Sequence, residues 1–279
     1  MFRTISRMRA FSSGLHRSGK TIALVPTMGF LHQGHLSLME KGNALADHVV
    51  ASIFVNPTQF GPNEDLSAYP RDEARDLEMT RRTGVDAVFM PDVQQIYPHG
   101  FQTTVSLKVL PNHLCGLSRP GHFDGVATVV AKLLGIVMPQ VAIFGEKDFQ
   151  QLAIIRQMVR DLDMGIDIVG APIVREADGV AMSSRNMYLS ADQRRSARCL
   201  YRALKAARQA VADGETDADT IIRSATSRIS AHPEAHIDYI TVCDPRTLDD
   251  MPVINGPALM ALAVKIGAAR LIDNMILTP

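Results

Sequence analysis

Two histidines three positions apart, His32 and His35, frame a glycine, Gly34, where an apolar run hands over to a helical pattern. The run Thr21-Ile-Ala-Leu-Val-Pro26 reads as a short buried strand, and Leu36, Leu38 and Met39 open a helix behind it. A helix start exposes free N–H groups and the positive end of the helix dipole, so the pair stands where an anion such as a phosphate is attracted. A structural histidine pair, or two ligands of a metal, would show the same spacing. The other polar clusters decide among these readings.

A second apolar run ends in Phe54-Val-Asn-Pro-Thr-Gln-Phe60, where the amides of Asn56 and Gln59 could fix a small substrate by hydrogen bonds; ordinary turn chemistry around Asn-Pro explains the same residues. A third, Ala142-Ile-Phe-Gly-Glu-Lys-Asp-Phe-Gln-Gln-Leu152, supplies Gly145 for close approach, Lys147 as a compact charge for phosphate and Asp148 for ribose hydroxyls. A glycine turn with a solvated charge run is the plain alternative. The segment Val180-Ala-Met-Ser-Ser-Arg-Asn186 adds two hydroxyls and a guanidinium, the donors that clasp a pyrophosphate.

These clusters need a scaffold, and the alternation of patterns names one. Strands are expected at Thr21–Pro26, Val49–Val55, Ala87–Met90, Val141–Phe144 and Ile166–Val169, with helices at Leu36–Ala46, Glu73–Thr83, Val126–Val137 and Phe149–Leu162. That alternation predicts an α/β fold, a Rossmann-like parallel sheet covered by helices, with ligands beyond the carboxyl ends of its strands. After Val174 the texture changes. A polar stretch, Arg175–Asn186, leads to helices at Ala191–Ala212 and Ala218–Ala231 and strand-like runs at Ile237–Val242, Ala258–Ile266 and Leu271–Leu277. The division is therefore 1–174 and 175–279, the second a smaller α+β domain.

Bulk properties narrow the partners. With 279 residues and 46% hydrophobic content the chain can bury a core large enough for two domains. A formal net charge of zero offers no field for nucleic acid or an acidic membrane, so neither is expected as a partner. Three cysteines, Cys115, Cys199 and Cys243, lack paired spacing and point to a reducing compartment. The basic, serine-containing stretch Met1–Lys20 superficially has transit-peptide composition, but Ile5, Met8, Phe11 and Leu15 recur at helical spacing and predict a first helix packed on the following strand. No run is long and apolar enough for a bilayer, and a cytoplasmic protein is expected.

Taken together, the blocks Pro26–His35, Phe54–Phe60, Tyr69–Arg71, Arg119–Val126, Phe144–Gln151 and Ala181–Asn186 resemble the pantothenate synthetase (pantoate–β-alanine ligase) family of the histidine-signature nucleotidylyltransferase superfamily. They run in family order over about two thirds of the chain. The resemblance implies an enzyme that uses ATP to convert pantoate into an acyl adenylate, releasing pyrophosphate, after which the amine of β-alanine displaces AMP. It implies that His35 is the proton donor, with His32 and the amides of Met28, Gly29, Phe30, Leu31, His32, Gln33, Gly34 and His35 assisting. Lys147, Ser183, Ser184 and Arg185 would hold the triphosphate, Lys147 also acting catalytically. Gly145 and Asp148 would hold the ribose, Glu146 would belong to the same ATP-binding block, and Val174 and Met182 would flank the adenosine.

Gln59 and Gln151 would bind pantoate, Gln59 also near β-alanine. Residues 1–174 would then bind nucleotide and pantoate, and 175–279 would close over the ATP site. Mg2+ is expected to accompany ATP with its ligands unassigned, the acids Asp72, Glu73 and Asp76 being one region to test. Arg119 and His122 have no assigned task, closure on the phosphates being one option. A homodimer is implied by the family and by no periodicity. Two rivals are an adenylyltransferase of the same superfamily that leaves AMP on its product, and a non-catalytic nucleotide-binding or zinc-binding module that uses His32 and His35 as ligands.

Overall fold

A computed structural model describes every residue of the chain except Asn63 and Asp65. It divides into two compact units: Met1–Pro111, Gly116–Glu146 and Gln151–Pro172 form the first, and Asn112–Cys115, Lys147–Gln150 and Ile173–Pro279 the second. The chain crosses over around residue 172, and two short segments of the earlier sequence, Asn112–Cys115 and Lys147–Gln150, belong to the later unit.

The first unit runs α1 (Ile5–Arg17), β1 (Ile22–Thr27), α2 (Gln33–Asn43), β2 (His48–Ile53), α3 (Glu73–Arg82), β3 (Ala87–Phe89), α4 (Val93–Ile96), α5 (Leu114–Ser118, its first residues lying in the second unit), α6 (His122–Val137), β4 (Val141–Gly145), α7 (Phe149–Asp161) and β5 (Asp167–Ala171). The five strands form one parallel sheet in the order β3-β2-β1-β4-β5. Ala23, Leu24, Val25, Val49, Ala51 and Ile143 are buried in it, as a sheet covered on both faces requires.

The order reverses between β1 and β4, and the sheet opens there. β1 pairs with β2 along its whole length, from Ile22 opposite His48 to Thr27 opposite Ile53, and β4 pairs with β5 as far as Gly145 opposite Ala171. β1 and β4 pair only at Ala23–Val141 and Leu24–Ala142, so their carboxyl ends diverge. An open parallel sheet binds its ligands at such a divergence.

Helix starts differ from the sequence reading in two places. α2 begins at Gln33 because His32 caps it, and α6 begins at His122, preceded by Gly121 in the left-handed region (φ 77°). α1 forms as expected and buries Met8, but its main neighbour is α6 and not the following strand. α2 and α6 already pack against β1, and the apolar stripe of α1 finds its cover on the helix layer.

In the second unit, α8 (Ala191–Ala212) and α9 (Ala218–Ser230) precede an antiparallel sheet of β6 (Ala235–Cys243), β7 (Ala258–Ile266) and β8 (Ala269–Leu277), in that order. Ser190 and Gln193 form a capping box at the start of α8. Leu200, Leu204, Ile221 and Ile229 from the helices join Met260, Leu262 and Val264 of the central strand in one core. No helix among the described residues is long and apolar enough to cross a membrane.

Candidate active site

The turn between β1 and α2 is built by backbone conformations that few sequences allow. Gly29 (φ 82°) and Phe30 (φ 48°) are consecutive left-handed residues, and for Phe30 that costs on the order of 1–2 kcal/mol. A Cβ on Gly29 would lie 3.0 Å from both Asp76 Oδ2 and Ile53 Cγ2, so glycine is required twice over. Asp76, on the first turn of α3 and 2% exposed, accepts the N–H of Phe30 at 2.7 Å and of Leu31 at 2.8 Å. Arg75 donates to Leu31 O at 2.8 Å and covers the Phe30 ring at 5.0 Å. Burial pushes the Asp76 carboxyl pKa up, while the two N–H bonds and the Arg75 charge oppose that rise.

The histidines close the turn as a reciprocal cap. His32 Nδ1 accepts the Gly34 N–H at 3.2 Å, and His35 Nδ1 accepts the His32 N–H at 3.3 Å; the rings lie 4.1 Å apart, tilted by 36°. A ring whose Nδ1 accepts carries its proton on Nε2 when neutral, so both are set as Nε2–H donors. The amides are spent internally as well: Gly29 N–H goes to Thr27 Oγ1, Phe30 and Leu31 to Asp76, His32 to His35, Gly34 to His32, and His35 to His32 O. The expectation that amides throughout Met28–His35 face a phosphate is thereby corrected for these six. Their N–H groups are consumed by holding the turn, and the histidine side chains carry the donors.

Beyond β2, Asn56 is 1% exposed and fully engaged. It donates to Gly125 O and Gln59 Oε1, both at 3.1 Å, and accepts from Tyr97 OH at 2.8 Å and Thr58 Oγ1 at 2.9 Å. It therefore shapes the 3-10 turn Pro57–Gln59 and is not a projecting ligand. Gln59 donates through Nε2 to Met28 Sδ at 3.1 Å, which brings it to the foot of the histidine turn.

Arg119 and His122 belong to the same construction. His122 Nδ1–H meets Gln59 O at 2.7 Å, its Nε2 accepts from Arg119 Nη1 at 2.9 Å, and Arg119 makes a two-pronged pair with Glu64, both contacts at 2.6 Å. Together they hold the Gln59 backbone. Burial works to raise the Glu64 carboxyl pKa, but the hydrogen bonds and charge of Arg119 carry it below its ordinary value.

Gly125 completes this group, because α6 crosses the 3-10 turn so closely that a Cβ there would fall 2.4 Å from Thr58 O. A glycine inside an apolar helical run is the signal that marks such a contact.

At the end of β4, Gly145 has nothing within 4 Å of where a Cβ would be, so open space lies over it. Glu146 follows in the same unit and Gln151 starts the unit's α7 segment. In the second unit, Lys147 and Asp148 share a 3-10 turn whose Lys147 carbonyl accepts from Asn274 Nδ2 at 3.0 Å.

The segment after Pro172 folds as a tight antiparallel turn, with Arg175 paired to Ala181 and Met182 N–H bonded to Val174 O at 3.0 Å. Val174 and Met182 are thus neighbours. Ser183 caps the 3-10 helix Ser184–Tyr188 by accepting the Arg185 N–H, which places Ser184 and Arg185 at its start. Lys147, Ser183, Val180, Leu200, Leu271 and Asp273 line one recess, so the sequence-selected lysine and serine do meet.

The supports of this segment carry no short-range signal. Arg175 grips buried Asp273 with two hydrogen bonds at 2.6 and 2.9 Å and stacks over Tyr201 at 4.0 Å. Burial raises the Asp273 carboxyl pKa, and Arg175 counters it. Arg194 binds Glu176 and Asp178 together, at 2.7 and 2.8 Å. That ion group holds both carboxyls below their ordinary range, against the effect of burial, which is the largest single influence on Glu176 and a smaller one on Asp178.

The acidic region offered for a metal has other employment. Asp72 caps α3 through Arg75 N–H, Glu73 pairs with Arg3 at 2.5 Å and Asp76 holds the turn. Among the described residues no group of three or more His, Cys, Asp or Glu could hold a metal ion. Neither the acidic region nor the pair His32 and His35 thus forms such a group among the described residues.

A parallel sheet split at its point of reversal, with a histidine-capped helix after one diverging strand and an open glycine after the other, defines an α/β nucleotide-binding enzyme. The pantoate–β-alanine ligase family model matches residues 1–276. The pantothenate synthetase of Desulfatibacillum aliphaticivorans is 61% identical over 272 residues, which is 98% of this chain and 97% of that protein. Crystal structures of pantothenate synthetase from Thermus thermophilus (TM-score 0.95, 45% identity, all of both chains covered) and of the pantoate–β-alanine ligase from Francisella tularensis (TM-score 0.81, 34% identity, 98% and 96% covered) share the fold, the latter complexed with β-γ ATP and β-alanine. The chain belongs to the pantoate–β-alanine ligase family.

Proposed function

We propose that the protein condenses pantoate with β-alanine in two steps through a pantoyl adenylate, giving pantothenate, AMP and pyrophosphate. A carboxylate is a poor electrophile, so its oxygen first attacks the α-phosphorus of ATP and pyrophosphate departs. The β-alanine nitrogen then attacks the acyl carbon, the bond from that carbon to the adenylate oxygen breaks, AMP leaves and the amine proton passes to solvent. The observation that carries this reading is the histidine pair with both Nδ1 atoms accepting backbone N–H groups, because it directs the Nε2–H of each ring to donate beside the opening of the sheet. Hydrogen bonds from such donors to phosphate oxygens strengthen as charge moves onto the departing pyrophosphate.

In this reading residues 1–174 carry nucleotide and pantoate groups: His35 and His32 as donors, Met28, Gln33 and the rest of the turn shaping them, Gly145 and Glu146 at the nucleotide, and Gln59 and Gln151 on pantoate. Residues 175–279 supply Met182, Ser183, Ser184 and Arg185; Val174, at the end of the first range, would flank the adenosine, Lys147 would bind the phosphates and Asp148 the ribose. Mg2+ enters with ATP, bound by phosphate and water. The enzyme is proposed to be a cytoplasmic homodimer, which sedimentation of the purified chain tests.

The deciding experiment is exchange of labelled pyrophosphate into ATP. Exchange that requires pantoate and proceeds without β-alanine supports the adenylate. Exchange that strictly requires β-alanine overturns the two-step order. Accumulation of an AMP-bearing product in place of free AMP would support the adenylyltransferase alternative.

A further inference from the structure

The acid at the foot of α3 does work that the family match does not assign. A turn with two successive left-handed residues aims consecutive N–H groups to one side and so forms a concavity that attracts an anion. Here the concavity is already filled. Asp76 places one carboxylate oxygen on Phe30 N–H and the other on Leu31 N–H, at 2.7 and 2.8 Å, with Gly29 leaving room for it. Leu31 is fully buried and Asp76 nearly so, which leaves water no ready way to replace those bonds. Arg75, the preceding residue on the helix, takes the Leu31 carbonyl and the face of Phe30, so one turn of α3 holds both the N–H and the C=O of Leu31, the residue that precedes His32.

We propose that Asp76 is a positioning residue for the ligase reaction, an internal anion that fixes the histidine turn so that His32 and His35 present their Nε2–H donors, with Arg75 as its second hand. It acts through Phe30 and Leu31, whose orientation sets the His32 backbone, and the His32 N–H in turn orients the His35 ring. The inference rests on the reading of the histidines as phosphate donors given above.

The test is a double-mutant cycle on pantoate-dependent pyrophosphate exchange, with purified full-length protein. Asp76→Asn keeps the shape but turns one accepting oxygen into an NH2 group facing an N–H. It is expected to lower the exchange rate at saturating ATP and pantoate by roughly 10- to 100-fold, the range set by small misplacements of reacting groups. In a His35→Ala background the same substitution should cost clearly less, by roughly 3- to 10-fold, because one of the two positioned donors is gone and only His32 is left to be misplaced. Arg75→Ala, on a partly exposed side chain, is the second variant in case Asp76→Asn does not fold, and should show a smaller loss that likewise shrinks in the His35→Ala background.

Losses that multiply in full in both backgrounds would overturn the inference and leave Asp76 a general stabiliser. A His35→Ala enzyme with near-normal exchange would instead overturn the reading of the histidines, so the two failures are distinct.

Discussion

Gly125→Ala puts a methyl group where two backbones meet. The added Cβ would lie 2.4 Å from Thr58 O, 2.6 Å from Thr58 C and 2.8 Å from Gln59 N. Carbon and oxygen in ordinary contact need about 1 Å more than that. No flexible side-chain tip is involved, so α6 or the 3-10 turn must move as a body, and the Asn56 bond to Gly125 O must stretch with it. Overpacking of this kind costs about 1–3 kcal/mol, which for a chain of this length lowers Tm by roughly 2–12 °C.

The larger effect falls on chemistry, because the displaced turn carries Gln59, and a misplacement of about 1 Å is worth up to about 100-fold in rate. We therefore expect kcat/KM for pantoate, measured by pyrophosphate exchange at saturating ATP, to fall by about two orders of magnitude. Gly135→Ala on the same helix is the control, since a Cβ there meets nothing within 4 Å. It should gain about 0.5–1 kcal/mol of helix stability and keep its activity. The reasoning fails if Gly125→Ala retains near-normal kinetics, or if both substitutions lose activity equally.

Lys147→Ala should slow formation of the adenylate by roughly 10²–10³-fold and spare aminolysis of supplied pantoyl adenylate, because only the first step expels pyrophosphate; equal losses in both half-reactions would contradict a phosphate role. Arg194→Met should alter the pH dependence of stability. The Glu176 and Asp178 carboxyls have depressed pKa values in the folded protein, so their contribution is present above the unfolded values of about 4 and lost as pH falls through the folded ones. Urea midpoints at neutral and acid pH should therefore differ less in the variant than in the wild type, and an unchanged difference refutes the assignment.

The alternation of patterns in the first 174 residues was sufficient for the parallel sheet, and the helix Ala191–Ala212 and the strand Ala258–Ile266 fall on the residues their patterns name. These are local consequences of apolar periodicity. Boundaries slipped where a cap decides them: α2 starts three residues early because His32 supplies an acceptor that hydropathy does not register. The histidine motif was legible for a related reason, since residues three apart at a helix start are neighbours whatever the remainder of the chain does.

Sequence by itself therefore determined the class of fold, the strand ends that carry the polar clusters and the family. Tertiary structure decided what each polar residue is for. Asn56 and Gln59 belong to one motif, yet Asn56 is spent on Tyr97 and Gly125 from distant segments, while Arg119 and His122 turn out to hold the Gln59 carbonyl. Asp76 meets Phe30 and Leu31 across more than forty positions of chain, and Arg175 finds Asp273 across nearly a hundred. A hydrogen bond is short-ranged and directional, so whether a side chain faces a ligand or a neighbouring backbone depends on which atoms folding brings within about 3 Å of it, and sequence spacing carries no record of that.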